Sequence, residues 1–351
     1  MTAITAGRRD NLALRWGVFW ALAVGGLFYV KWFPYYNKAF VAAANHAIGP
    51  SILMGAASAP PAPSLDAAIS YALAYGKAIW QAMVLGLLLG SAIQALLPAH
   101  FVARVLGTAS FGGVAAGGLL ALPSMMCTCC AAPVVVGLRE RRASAGAAIA
   151  FWLGNTVLNP ATLVFIGFVL GWRWAALRLA LGVAMVFGLG ILAGALTRER
   201  DAERTPARLE EPREPETSAF ARWLQILGRM SLRLIPEYVV LVLLMGAARA
   251  WLFPHAGPEV GNALIGIAGL AVAGMLFVIP TAGEVPILQA MLALGVGAGP
   301  AGALLMTLPP VSLPSLAMVW GSFPARVLGV VAAGVIAFGI IGGLAAAWLG
   351  F

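Results

Sequence analysis

Residues 123–133 read PSMMCTCCAAP. Five of the six side chains from Met125 to Cys130 carry sulfur, and all three cysteines of the chain fall within this stretch. Pro123 and Pro133 bracket the cluster, with long apolar runs on both sides. Proline removes a backbone donor and interrupts a helix, so the stretch predicts soft ligands set in broken backbone. Thiolate and thioether sulfur select soft ions and thiophilic species, among them Cu(I), Zn(II) and trivalent arsenicals. A single cysteine would read as a small apolar packing residue; three in four residues between prolines read as a binding site.

The surrounding chain has 351 residues, 61% hydrophobic and only 10% charged. That mix belongs to a chain solvated by lipid, and several runs reach the roughly 20 apolar residues that a membrane-spanning helix needs. The fold class read from this is an all-α polytopic membrane protein. Glycine (42) and proline (22) are frequent enough to predict closely packed and broken helices. The net charge of +9 is scattered over short loops between apolar runs. No basic domain is available to lie along a phosphate backbone, so nucleic acid is excluded as a partner. Three clustered cysteines make no disulfide framework. The chain has no glycine loop with lysine for ATP phosphates, no nucleophile and base at a telling spacing, and no cofactor motif. It reads as a carrier rather than an enzyme.

Arg8, Arg9 and Arg15 precede an apolar run to Val30. Trp16 and Trp20 suit an interfacial belt, and small residues fit for cleavage come only beyond Lys31 and Pro34, so an uncleaved first helix is expected. Residues 31–66 read as a mixed external loop, which makes 1–66 an N-terminal helix and loop. Residues 67–196 form a first transmembrane repeat and 223–351 a second. Between them, residues 197–222 hold seven of the chain's 13 acids among arginines and prolines, a solvated linker.

The two repeats are visible by eye. LLLGSAIQALLPAH from Leu87 echoes LLMGAARAWLFPHA from Leu243; Pro123 and Pro133 correspond to Pro280 and Pro286; Asn159-Pro160 answers Leu313-Pro314. Order and spacing are kept, the mark of duplication. The positive-inside rule puts the N-terminus, residues 139–142 and the linker on the cytoplasmic side of a bacterial inner membrane. Residues 105–138 must then leave and return, as two short crossings or as a re-entrant hairpin with the sulfur cluster at its tip; the same choice applies to 262–295. Each half crosses an odd number of times, so two inverted-topology repeats with re-entrant or broken helices are expected to meet at the bilayer midplane, where secondary carriers bind their solutes. Arg173 and Arg178 fall on the outer side in this scheme.

Candidate ligands follow from that placement. Cys127, Cys129, Cys130 and Met126 offer sulfur, and Asn155, Asn159, Thr281 and Ser312 offer polar groups at the breaks, either to solute or to backbone freed by Pro160 and Pro314. A soft metal or metalloid could sit on the three cysteines, although their spacing matches no dedicated metal site. Glu284, at the matching tip, is an intramembrane carboxylate and by default a functional one, suited to carrying a proton; its structural alternative is pairing with a backbone N–H or an arginine. Glu237 is expected to pair with Arg233. His46, His100 and His255 have no ligand spacing.

CTCCAAP, at Cys127–Pro133, resembles the C-S-C-G-x-x-P signature of the predicted permeases of the YraQ and ArsP type, which include bacterial efflux permeases for trivalent organoarsenicals. IPTAGE, at Ile279–Glu284, resembles the family's I-P-x-C-S-E, and LPPVSLPSL its A-G-P-x-x-S-L-P-S; the likeness covers about residues 70–349. Thr128 stands for the serine, Cys130 for the glycine, and Ala282 for a cysteine of the second signature. The resemblance implies an inner-membrane permease exporting a small thiophilic solute such as a trivalent organoarsenical. Cys127 and Cys129 would bind it, and Glu284 would couple to protons. Transport of a small sulfur anion such as thiosulfate, or a thiol redox or metal-handling role, are the other readings. Membrane lipid and a homo-oligomeric partner complete the expected surroundings.

Overall fold

The computed structural model describes residues 12–54, 60–203, 218–253 and 262–351. These residues contain no strand. Six helices among them are long and apolar enough to cross a membrane: Leu12–Asn45 (α1), Leu65–Leu96 (α2), Ala145–Val169, Trp172–Thr197, Ala219–Leu252 (α9) and Ala325–Trp348 (α14). The third is broken into Ala145–Val157 (α6) and Pro160–Val169 (α7), and the fourth belongs to the longer helix Trp172–Glu203 (α8). Shorter helices lie between: Ala99–Leu106 (α3), Phe111–Ala121 (α4), Thr128–Glu140 (α5), Leu264–Leu276 (α10), Glu284–Ala293 (α11), Ala298–Thr307 (α12) and Leu313–Val319 (α13). Most of the linker, residues 204–217, and His255 lie outside the described residues.

The first helix does not stop at Val30. It continues to Asn45, so residues 31–45, read from sequence as loop, are helical. Two π-helical turns, Ala21–Gly25 and Phe28–Trp32, lie in its path. A proline ring presses on the carbonyl four residues back; the wider π turn ending at Trp32 loosens the ladder where Pro34 would otherwise end it.

The segments 105–138 and 262–295 are hairpins. The 11-residue α4 and 13-residue α5 are each too short to cross about 30 Å of hydrocarbon at 1.5 Å per residue. Both ends of the first hairpin meet at one level: Ser144 N–H donates to Leu106 O at 2.7 Å and its hydroxyl to Thr108 O at 3.1 Å. In the second, Gly299 N–H donates to Asn262 Oδ1 at 2.8 Å. The hairpins enter from opposite ends of the bundle. Gly146, just after the first, packs on Gly190 and Gly194 toward the C-terminal end of α8. There the Leu196 carbonyl accepts from Arg326, at the start of α14. Gly299 and Gly302, just after the second, pack on Gly342 and Gly343 toward the other end of α14, where Leu349 O accepts from Arg173 at 2.7 Å.

Charge gathers at the first of these ends. Burial, followed by the charges of Arg222 and Arg15, lowers the Arg141 guanidinium to about 10. The start of α1, the turn after α5 and the start of α9 therefore share one face.

Helix α2 is the spine against which the sulfur hairpin is laid. A Cβ at Gly86 would stand 2.1 Å from Cys130 O, one at Gly90 2.2 Å from Pro133 O, and one at Gly137 2.4 Å from Gly90 O. All three obstructions are backbone, which cannot rotate away. Small residues permit this approach where lipid gives helices no hydrophobic drive to associate. Gly86→Ala should therefore displace the hairpin and destabilise the fold by about 1–3 kcal/mol, read as a lower thermal midpoint in detergent. Gly76→Ala, with nothing within 4 Å of the added methyl, should leave the midpoint unchanged.

Candidate functional site

Both hairpin tips are irregular backbone, and each has a non-glycine residue in the left-handed region two positions after its proline. Met125 follows Pro123 with φ 48°, and Ala282 follows Pro280 with φ 63°. Such residues cost of order 1–3 kcal/mol and persist only where their surroundings hold them. Here the surroundings do so by satisfying freed polar groups, as backbone at membrane depth requires. Trp32 Nε1–H donates to Pro123 O at 2.6 Å, Met126 N–H to Asn155 Oδ1 at 3.3 Å, and Trp152 Nε1–H to Thr128 O at 3.0 Å. Across the site, the Tyr71 hydroxyl donates to Val278 O and the Tyr75 hydroxyl to Ile279 O, on the non-helical stretch leading into the second tip.

Cys127 caps the N-terminus of α5, which sorts the thiols by helical position. Cys127 and Cys130, three apart, face each other with Sγ atoms 2.8 Å apart. Cys129 turns elsewhere, 3.8 Å from Ser312 Oγ and beside the Tyr75 and Tyr238 hydroxyls. All three thiols are free and buried. The Cys127 thiol also lies within hydrogen-bonding reach of the Thr281 side chain on the opposite tip. No group of three or more His, Cys, Asp or Glu converges as a metal shell among the described residues. The site presents a dithiol and a separate thiol.

Glu284, the first residue of α11, is 1% exposed and pairs with Arg178 Nη1 at 2.8 Å; Arg178 is fully buried. The guanidinium also donates to Thr156 O at 2.6 Å, Val157 O at 3.1 Å and Leu305 O at 3.1 Å. One side chain thus ties the second tip to the end of α6 and to α12. The outer-side placement of Arg178 read from sequence is corrected: it lies in the bundle, because a carboxylate waits there for a cation. Arg173 does sit at an end, stacked on Phe351 with 4.7 Å to the ring centroid.

Lys31 is 4% exposed on a helix that otherwise buries only Ala23 and Ala42. Its ammonium lies 3.2 Å from Thr281 Oγ1 and 3.2 Å from the Tyr35 hydroxyl. Lys31 and its neighbour Trp32 therefore hold one tip each.

Between the tips lies a cavity of about 10 Å³, open to the centre of roughly one water. Cys127, Thr156, Thr162, Pro280, Thr281, Ala282, Glu284 and Pro309 contribute to its lining. Two of these carry buried polar atoms without a hydrogen-bond partner, Glu284 Oε2 and Thr162 Oγ1; Asn159 Nδ2, at the same break, is a third. Orphaned polar atoms at this burial are costly and call for a ligand or water.

Of the residues singled out from sequence, Met126, Cys127, Cys130, Thr281 and Glu284 gather at the tips. Asn155, Asn159 and Ser312 are engaged with backbone. Asn155 bridges Met126 N–H and Phe151 O; Asn159 Oδ1 caps α7 through Ala161 and Thr162 N–H; Ser312 forms a capping box with Ser315 at the start of α13. His46 Nδ1 lies 2.7 Å from Phe168 O, at a helix end. Sequence reading missed Arg178, Lys31 and the tyrosines of α2 and α9. The available signal for Arg178 was its own rarity, a lone arginine within an apolar run matched to a lone glutamate in another.

A multi-pass helical protein with two broken tips closing on a buried dithiol and an ion pair belongs, by architecture, among membrane permeases. Comparison with known proteins agrees. A family described as predicted permease, of the ArsP type, matches residues 64–347. The UPF0718 protein YraQ of Escherichia coli (strain K12) is 50% identical over 329 residues, covering 93% of this chain and 94% of that one. The chain belongs to this predicted-permease family. No solved structure matches it.

Proposed function

We propose that the protein is an inner-membrane secondary permease that exports a small thiophilic solute, such as a trivalent organoarsenical or a soft metalloid species, by alternating access at the two tips. The observation that carries this reading is the small cavity between the tips, where the Cys127 thiol of one hairpin meets the unpartnered Glu284 Oε2 of the other. Its size, room for about one water, suits a collapsed state without solute between two open ones. The hairpins entering from opposite ends support inverted repeats that rock against each other. The arginines gathered at one end support a cytoplasmic N-terminus and linker. Cys127 and Cys130 are the natural chelating pair for a trivalent centre, and Cys129, facing Ser312 and the tyrosines, is a second station on the path. Proton coupling through Glu284 then requires the Arg178 pair to open during the cycle. A small sulfur anion is the second cargo class, favoured by the buried Lys31 ammonium.

Everted membrane vesicles offered arsenicals, soft metals and thiosulfate, with and without a pH gradient, test the proposal. Uptake of at least one thiophilic solute above control vesicles is expected, with loss in Cys127→Ser. Equal uptake by control vesicles for the whole panel would overturn it.

A further inference from the structure

The α1 helix lies outside the residues that the family match covers, yet it delivers a cation to the centre of the molecule. Lys31 pairs with no carboxylate among the described residues: its polar contacts are Thr281 and Tyr35. The other charges at the tips cancel, since Glu284 and Arg178 form one pair. With the three thiols protonated, the centre therefore carries one positive charge with no carboxylate set against it. A buried ammonium is retained only when something compensates its lost hydration. The tyrosine ring 5.1 Å away supplies part of that, and the remainder falls to whatever occupies the space beside Thr281. That space is the cavity, walled by Thr281 and the Glu284 carboxylate, already paired with Arg178, on one side and by Cys127 on the other; Lys31 reaches it through Thr281. Cys127 and Cys130 are both within electrostatic reach of the ammonium. The π turn Phe28–Trp32 rotates Lys31 inward on a helix whose other faces are largely exposed, and π turns concentrate at functional sites.

We propose that Lys31 makes the chamber between the tips an anion site, which selects the second cargo class above, a small anion bearing a soft sulfur atom, over an uncharged arsenical. This rests on the reading of the tips as the solute site. The ammonium holds the negative charge through Thr281 and Tyr35, and the Cys127 thiol faces the soft atom. The N-terminal helix is then part of the binding site as well as an anchor.

Charge-matched thiol reagents test this in the full-length protein in membranes. Methanethiosulfonates carrying a sulfonate, a trimethylammonium or a plain methyl group react by the same thiol displacement of methanesulfinate. Their rates at Cys127 and Cys130 are normalised to a free thiol in solution. The sulfonate is expected to react about tenfold faster than the trimethylammonium reagent in the wild type. The preference should fall below twofold in Lys31→Gln and return in Lys31→Arg. A wild-type ratio near one, as a thiolate already neutralising Lys31 would give, overturns the anion site, as does a ratio unchanged in Lys31→Gln. Failure of even the methyl reagent in every variant contradicts the opening of the tips instead. The anion site is then decided by thermal shift of the purified protein with sodium thiosulfate: stabilisation lost in Lys31→Gln supports it, and no stabilisation of the wild type overturns it.

Discussion

Arg178→Gln is expected to destabilise the protein by about 3–5 kcal/mol, the cost of leaving a buried charge without its partner. The arginine is fully buried and the glutamate 1% exposed, so water cannot take over when the guanidinium goes. The same substitution also strands the carbonyls of Thr156, Val157 and Leu305. Glu284→Gln removes the opposite charge but leaves Arg178 its three carbonyls, so a smaller loss is expected. The double variant Arg178→Gln, Glu284→Gln should recover part of the stability of the first, because no charge is left unpaired. Thermal unfolding of the purified protein in one detergent orders the three variants. A loss below about 1 kcal/mol for Arg178→Gln would mean that the pair does not tie the second tip to α6 and α12.

Cys127→Ser and Cys130→Ser should each weaken binding of a trivalent arsenical by about 100-fold or more, whereas Cys129→Ser should change it by less than about fivefold. The reason is geometric. Two thiols 2.8 Å apart on one helical face present both sulfurs to one soft centre, and the second bond forms at a high effective concentration. Losing either sulfur reduces a chelate to a single contact. Cys129 faces Ser312 and two tyrosines and takes no part in that contact. Protection of the remaining thiols from alkylation by phenylarsine oxide gives the affinities. An equal loss for all three variants would show that the sulfurs act as one set.

How much of this was legible in the sequence can be stated residue by residue. Proline pairs and short apolar runs pointed to broken helices at 123–133 and 280–286; the chain is irregular after Pro123 and Pro280, whereas Pro133 lies inside α5 and Pro286 in the first turn of α11, so these two prolines, read from sequence as breaks, are not breaks. The facing of the two tips followed from the matched order of the halves. The pairing of thiols did not follow. It depends on α5 starting at Thr128, and cysteine is not a residue that announces a helix start. Lys31 was hidden because Pro34 reads as a helix end, and only a π turn, which has no compositional mark, carries the chain through it. The Arg178–Glu284 pair joins residues remote in sequence. The rarity of each charge predicted that it would need a partner, and only the fold identified which one. Asn159 and Ser312 stand at helix starts, whereas Asn155, read from sequence as an interruption, lies inside α6; the hydrogen bonds that engage all three with backbone are not encoded in composition.

The meeting of the two tips is tested most directly by joining them. In a Cys129→Ser, Cys130→Ser background, Thr281→Cys places a thiol against Cys127, on the other hairpin. After mild oxidation and cleavage within the arginine-rich linker at 197–222, the two halves should stay together on a non-reducing gel and separate with reductant, and opening of the chamber to solute should stop and resume in step. Halves that separate without reductant, at full oxidation and normal expression, would contradict a site built where the two hairpins meet.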